Sequence, residues 1–526
     1  MTERKTSERK ASSLFKKFQT LLYNGSDTNE IIDNYENPSL TQYNFGNIEL
    51  YKNELNISDE LKKYIRYIVI PYYNKDSPGK LNSKQFKFYK STLTSTPITD
   101  AKTFQSVVIK YNTFLTDDEC FFINLKAYEK KYPEEAKTFF NEILPFIIEQ
   151  ALKLPEYLTK PIPLLGKYMN IAITLNKLQV LSLLANQFLC IFNEDNHALY
   201  DTPPCSFITL LSPLKLSCES TVEKIRCIIH YFDKMRKRDL EKIKSELLTY
   251  QRVSLDKNSL PDWKNEKANL CGVIIDPERH IEDCDNMLQV DFANWYLGGG
   301  VLNDGCVQEE IRFCINPELF VSMIFSQRMY PLECSFIMGT ERFSNYEGYR
   351  RSFKYSGDFD DESSPLNRFH RKTTDIVAVD ASFFTPPCTP YYYNQFSSEL
   401  VQNELIKFYA AAKRNEYSDL EKDACVATGN WGCGAFNGNI ELKALIQVIA
   451  VSATEKSIYY CPFENIKFAE QFGTVLKKLK THHITSDILY NYIENYYTDI
   501  ISKITSNDPP NITLFNYILE KLQNLQ

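Results

Sequence analysis

Three consecutive glycines, Gly298, Gly299 and Gly300, are followed seven residues later by Gln308, Glu309 and Glu310. These residue types at this spacing could do chemistry. A glycine run has no Cβ, so its backbone can take φ > 0 and lie close against a ligand. Successive N–H groups in such a loop can form an anion-binding nest, which suits a diphosphate. Two adjacent carboxylates beside a phosphate site suggest acid/base chemistry on something attached to it. A solvated turn before an ordinary Glu-Glu helix start has the same pattern, so the flanking elements have to decide.

Upstream, residues 287–297 read MLQVDFANWYL, a short apolar strand ending in Asp291 and Asn294. Polar residues at the end of a buried strand, followed by a glycine loop, are how open α/β sheets present a ligand site. Downstream, Asn316 and Pro317 predict a helix start. Glu318 is expected in its first turn, where it should matter only slightly to stability.

The stretch VDFAN…GGG…VQEEIRF…INPELF resembles the core of the poly(ADP-ribose) glycohydrolases, whose signature is GGG, six to eight residues, then QEE. A second segment, ATGNWGCGAFNG at 427–438, is similar to that family's other phosphate-binding loop. The similarity runs from about Cys218 to Phe463. It implies a macrodomain, an α/β fold with a mixed sheet and helices on both faces, preceded by a mostly helical accessory region.

The resemblance also implies roles. Glu310 would be the general acid/base, Glu309 would hold the distal ribose, and Asp291 with Asn294 would brace the carboxylates or the ribose. The amides of Gly298, Gly299 and Gly300 would approach ligand oxygens. Asn430, Gly432, Cys433, Gly434, Ala435 and Phe436 would form the second wall, with the last three amides on the diphosphate and Cys433 a small packing residue. Phe463 would stack on adenine, Glu282 and the Ile281 backbone would read its edge, Gln308 would contact the same nucleotide, and Tyr349 would lie against the substrate. The partners implied are poly(ADP-ribose), the proteins that carry it, and the product ADP-ribose. Also implied are action as a monomer, a role in the DNA damage response, and a place in the nucleus and/or cytoplasm. The loop between GGG and QEE departs from the family in being unusually polar at Asn303 and Asp304.

Bulk properties narrow the classes. A net charge of −7 leaves no electrostatic footprint for nucleic acid, so direct DNA binding is not expected. Fourteen cysteines include no C-x-x-C pair, and several lie in apolar runs (Cys227, Cys314, Cys334), which predicts buried free thiols in a reducing compartment. Six histidines, with no ligand-like spacing except the adjacent His482 and His483, predict no metal, and no cofactor is expected. No run of eighteen apolar residues predicts a membrane span. A P-loop nucleotidase is excluded because G-x-x-x-x-G-K-[ST] does not occur. Two readings stand: a glycohydrolase, and a reader that binds ADP-ribose without cleaving it. The intact Glu309-Glu310 pair favours the first.

Along the chain, 1–57 reads as a flexible N-terminal segment, with a basic tail whose Glu3 and Glu8 argue against a transit peptide, then a short helix. Residues 58–249 read as the helical accessory region; AITLNKLQVLSLLANQFLCIF within it has a helical pattern, Pro133 predicts a helix start, and Pro145 a kink. Residues 250–526 read as the catalytic macrodomain, with strands at 252–256, 271–276, 287–293, 333–339, 374–384, 424–429 and 457–461 and helices between and after them.

Overall fold

The computed structural model describes residues 41–44, 66–74, 77–113, 115, 122–192, 195–212, 219–361, 364–387, 389–413, 415–504 and 509–524. The N-terminal tail and short helix read from the sequence lie outside these residues.

Thirteen strands are described: β1 (Thr41–Asn44), β2 (Tyr73–Asn74), β3 (Ser77–Leu81), β4 (Ile171–Asn176), β5 (Leu247–Ser254), β6 (Val273–Ile275), β7 (Leu288–Asp291), β8 (Glu333–Met338), β9 (Ser344–Glu347), β10 (Lys354–Asp358), β11 (Asp375–Ala378), β12 (Val426–Gly429) and β13 (Ile458–Cys461). Nine of them form one mixed sheet in the order β1-β4-β5-β8-β11-β7-β12-β13-β6. From β11 to β6 every neighbour is parallel, whereas β4, β5, β8 and β11 pair antiparallel. Alternate residues enter two apolar cores: Ile337 and Ile376 pack on one side with the helices that precede residue 250, while Phe336, Met338 and Val377 pack on the other with the C-terminal helices. The α/β fold with helices on both faces is therefore present, and all seven strands read from the sequence fall within it.

Several elements differ from the sequence expectation. Residues 171–176 form strand β4 rather than the first turns of a helix. Every residue of β4 is buried, so its apolar run has no period to separate strand from helix. Asn176 then caps helix Lys177–Phe188 in a reciprocal capping box with Gln179. The hairpin β9–β10 was not anticipated, nor was β1, which pairs parallel with β4. Residue 250 lies inside β5, so the sheet is continuous between the helical region and the catalytic one. Two proline expectations are met: Pro133 opens helix Pro133–Thr138, and a π-turn, Phe139–Ile143, widens the chain just before Pro145. That widening spares the proline ring a clash with a preceding carbonyl.

Glu318 corrects the sequence reading. It is fully buried, accepts the Glu341 N–H at 2.8 Å and pairs with Lys177 at 3.2 Å. Burial pushes its carboxyl up to about 7, with Lys177 pulling against that shift. Lys177 also pairs with Glu246 at 3.4 Å and with Glu341. This buried cluster ties the helical region to the turn that follows helix Gln308–Ile315. Lys177→Met should therefore cost about 3–5 kcal/mol in urea unfolding, because it strands buried carboxylates. Unchanged stability would mean that water reaches the cluster.

Candidate active site

The five parallel strands all deliver their C-terminal ends to one cavity of about 720 Å³. This follows from the topology, since loops after parallel strands must start at a common edge of the sheet. Ile281 and Glu282 follow β6, residues 292–300 follow β7, Ala381 and Tyr392 follow β11, residues 430–440 follow β12, and Phe463 follows β13. Tyr346 and Tyr349 enter from the β9–β10 hairpin.

The chain leaves β7, makes the glycine turn and enters helix Gln308–Ile315, so Gln308, Glu309 and Glu310 form that helix's first turn. Glu309 accepts the Asn294 N–H at 2.8 Å and the Gly298 N–H at 2.7 Å. Glu310 accepts the Gly300 and Val307 N–H groups, each at 2.8 Å. Both carboxylates line the cavity yet are almost wholly buried. Burial pushes Glu309 well above the usual carboxylate range, and Asp291 and Glu310 beside it push the same way. The Lys224 ammonium, reaching in from helix Glu219–Arg236, donates to the carbonyls of Val301, Asn303 and Gly305 at 2.8, 2.6 and 2.7 Å. It fixes the polar loop that carries the amides of Gly300 and Val307.

The loop after β12 is built differently. Its ends are tied down: Gly438 N–H donates to Gly432 O at 2.9 Å, and Asn430 joins Pro462 O at 2.9 Å and the Tyr460 hydroxyl at 3.1 Å. Between them the N–H groups of Gly434, Ala435 and Phe436 donate to nothing among the described residues. Helix Ile440–Ser452 starts directly behind them, capped by Asn439. Free amides and two helix N-termini facing one cavity make a site for a polyanion.

At the β13–β6 end, Phe463 is half exposed and meets Tyr349 at 4.9 Å and His280 at 5.9 Å between ring centroids. Glu282 is nearly buried beneath them; burial alone would raise it, but hydrogen bonds from His280 and Tyr346 bring it down to about 2. Aromatic faces beside a charged carboxylate are chemically suited to a flat ring with a hydrogen-bond donor on its edge.

Comparison with known sequences decides the family. The family profile described as poly(ADP-ribose) glycohydrolase, macro domain fold, matches residues 260–470, and the helical-domain profile of the same family matches 132–252. Poly(ADP-ribose) glycohydrolase 1 of Arabidopsis thaliana is 32% identical over 467 residues, covering 74% of this chain and 83% of that protein. This chain belongs to the poly(ADP-ribose) glycohydrolase family. The probable poly(ADP-ribose) glycohydrolase 2 of the same plant is 30% identical over 427 residues, covering 71% of this chain and 81% of that protein. Poly(ADP-ribose) glycohydrolase 2 of Caenorhabditis elegans is 33% identical over 326 residues, covering 58% of this chain and 65% of that protein.

In this glycohydrolase-family chain the geometry places most of the sequence-read residues around one cavity and gives five of them contacts within the protein itself. The amides of the glycine triplet do not face a ligand. Gly298 and Gly300 bond the two glutamates, and Gly299 N–H donates to Tyr296 O at 3.1 Å, because carboxylates in the following helix turn are nearer acceptors. Gln308 spends its side chain on β7, accepting Phe292 N–H at 2.8 Å and donating to Val290 O at 3.1 Å. Asp291 is absent from the cavity wall and 1% exposed, covered by the helix that supplies its charged neighbours Arg312 and Glu310. Its charge bears on Glu309, whose carboxyl it helps to push up. Cys433 lines the loop, its thiol bonded to Trp431 O at 3.4 Å and pushed up by burial, so it is a poor nucleophile.

Lys224, His280 and Arg312 were missed. Lys224 did leave a signal: with Thr221, Ile225 and Ile228 it falls on the buried stripe of its helix, where a lone charge needs a partner. His280 and Arg312 left none beyond their proximity to Ile281 and the twin glutamates.

Asp291 gives a pH test. Burial holds its carboxyl up to about 7, with Glu310 adding to the rise and Arg312 opposing it. Its unfolded value is about 3.9. The folded chain therefore keeps a proton that the unfolded chain has lost, and stability from this group falls as pH rises from about 4 to 7. Asp291→Asn should be stabilised relative to the parent at pH 8 compared with pH 4.5, on the order of 2 kcal/mol. Parallel unfolding curves at the two pH values, with no change in the difference, would contradict this.

Proposed function

We propose that this chain hydrolyses the ribose–ribose O-glycosidic bonds of poly(ADP-ribose) and releases ADP-ribose. The observation that carries the reading is the pair Glu309-Glu310, clamped by four backbone N–H groups on the wall of a cavity whose opposite loop offers free amides. ADP-ribose fits this layout with adenine at Phe463 and Glu282, the diphosphate on Gly434, Ala435 and Phe436, and the distal ribose at the glutamates. Glu310 gives its proton to the departing ribose oxygen and takes one from the attacking water, while Glu309 holds ribose hydroxyls and faces the oxocarbenium-like centre. A reader gains nothing from buried carboxylates next to a diphosphate, which they repel.

The described cysteines are free and mostly buried, which suits a reducing compartment, nucleus or cytoplasm. The chain acts there as a monomer on poly(ADP-ribosyl)ated proteins, and its net charge of −7 favours recognition of the polymer by local amides rather than of DNA by a basic face. No helix among the described residues is long and apolar enough to cross a membrane.

Product inhibition tests the proposal. Initial rates of polymer breakdown should fall as free ADP-ribose is added, competitively with polymer, and should be unchanged by EDTA because amides hold the diphosphate. A rate indifferent to ADP-ribose would put the chemistry in another site, and a loss in EDTA restored by a divalent ion would overturn the amide-based account.

A further inference from the structure

The loop after β11 carries two aromatic rings that the ADP-ribose cavity does not use. Phe383 is 67% exposed and Tyr391 68%, the most exposed large apolar side chains among the described residues. Their sequence neighbours Ala381, Pro387 and Tyr392 line the cavity. Phe383 is anchored rather than loose. The next residue, Phe384, donates its N–H to Phe436 O at 2.9 Å and accepts Asn437 Nδ2 at 2.9 Å, and the Phe383 ring leans edge-on against Phe436 at 6.2 Å. Phe436 belongs to the phosphate loop, so an open aromatic face is fixed at the rim of the site.

The sheet order says what passes this rim. Adenine lies at the ends of β13 and β6, and the twin glutamates follow β7. A chain of ADP-ribose units that enters with its terminal adenine over β13 has its scissile bond over β7. Continuing in the same direction, it runs past β11. Each further unit carries an adenine, a planar ring that stacks on aromatic faces at roughly 1–3 kcal/mol per base. We propose that Phe383, with Tyr391, is a second nucleotide subsite, which stacks the adenine of the unit on the leaving side of the scissile bond. This inference rests on the hydrolase reading of the same cavity. It adds that the protein grips two consecutive units and that polymer is held more tightly than ADP-ribose.

Binding separates this proposal from the reading beneath it. In the full chain carrying Glu310→Gln, so that oligomers stay intact, affinities are measured by fluorescence anisotropy for ADP-ribose and for a purified short poly(ADP-ribose) oligomer. Adding Phe383→Ala should weaken oligomer binding about ten-fold, the low to middle part of the stacking range. ADP-ribose affinity should stay the same, which also shows that the variant is folded. Phe383→Trp should restore oligomer affinity, and Tyr391→Ala should weaken it by a smaller factor. Equal losses for both ligands, or no loss for either, would overturn the subsite. Failure of the hydrolase reading would show separately, as absence of cleavage by the chain with Glu310 intact.

Discussion

Glu310→Gln should lower the rate of ADP-ribose release from polymer by roughly two to four orders of magnitude, the usual worth of a positioned general acid/base. The substitution keeps size and shape but cannot cycle a proton. Its structural cost is small and foreseeable. Glu310 accepts an N–H at each oxygen, from Gly300 and from Val307, and an amide can accept only one of them. One bond is lost, so a modest drop in melting temperature accompanies the kinetic effect without explaining it. Affinity for ADP-ribose should be kept or improved, because the diphosphate rests on Gly434, Ala435 and Phe436 and a nearby negative charge is gone. Glu309→Gln should also slow turnover, through ribose positioning rather than proton transfer. Wild-type turnover by Glu310→Gln would move the acid to another residue.

Gly299→Val should abolish most turnover while leaving ADP-ribose binding largely intact. Gly299 sits at φ +50°, and a Cβ there would stand 2.6 Å from Glu309 Oε2 and 2.7 Å from Glu310 Oε1. Either both carboxylates move or the turn opens, and displacement by about 1 Å is enough to cost roughly a hundred-fold. Were the triplet's amides on ligand oxygens, as the resemblance implies, the added side chain would take ligand space and weaken binding. The structure shifts the effect to catalysis, since the amides of Gly298 and Gly300 hold the glutamates. Gly434→Ala is the contrast: a Cβ there meets nothing within 4 Å, so the fold should be untouched. Turnover and ADP-ribose calorimetry on both variants check this. A Gly299→Val enzyme with normal turnover and lost binding would restore the simpler ligand-contact role.

The legible parts of the molecule were those with local signals. The strands after residue 250 announced themselves as short β-rich runs between turn residues, and the sheet needed only their alternation with helices. The phosphate loop and the twin glutamates were legible because glycine and carboxylate spacing is itself the chemistry. What stayed hidden depends on contacts between distant residues. Nothing in GGG tells whether its amides bond a ligand or a carboxylate ten or eleven residues on. Glu318 looked like a first-turn carboxylate because Lys177, its partner, lies 141 residues earlier, at the start of the helix that follows β4. The β9–β10 hairpin, which brings Tyr346 to Glu282, has too little apolar alternation to declare itself.

The central claim is that this cavity cleaves the polymer it binds. The most direct measurement is a time course of unmodified protein with labelled poly(ADP-ribose), resolving polymer from monomer by chromatography. The account predicts steady conversion of polymer into ADP-ribose. Polymer that binds the protein and is recovered at full length, with no ADP-ribose formed, would contradict it and make this site a reader.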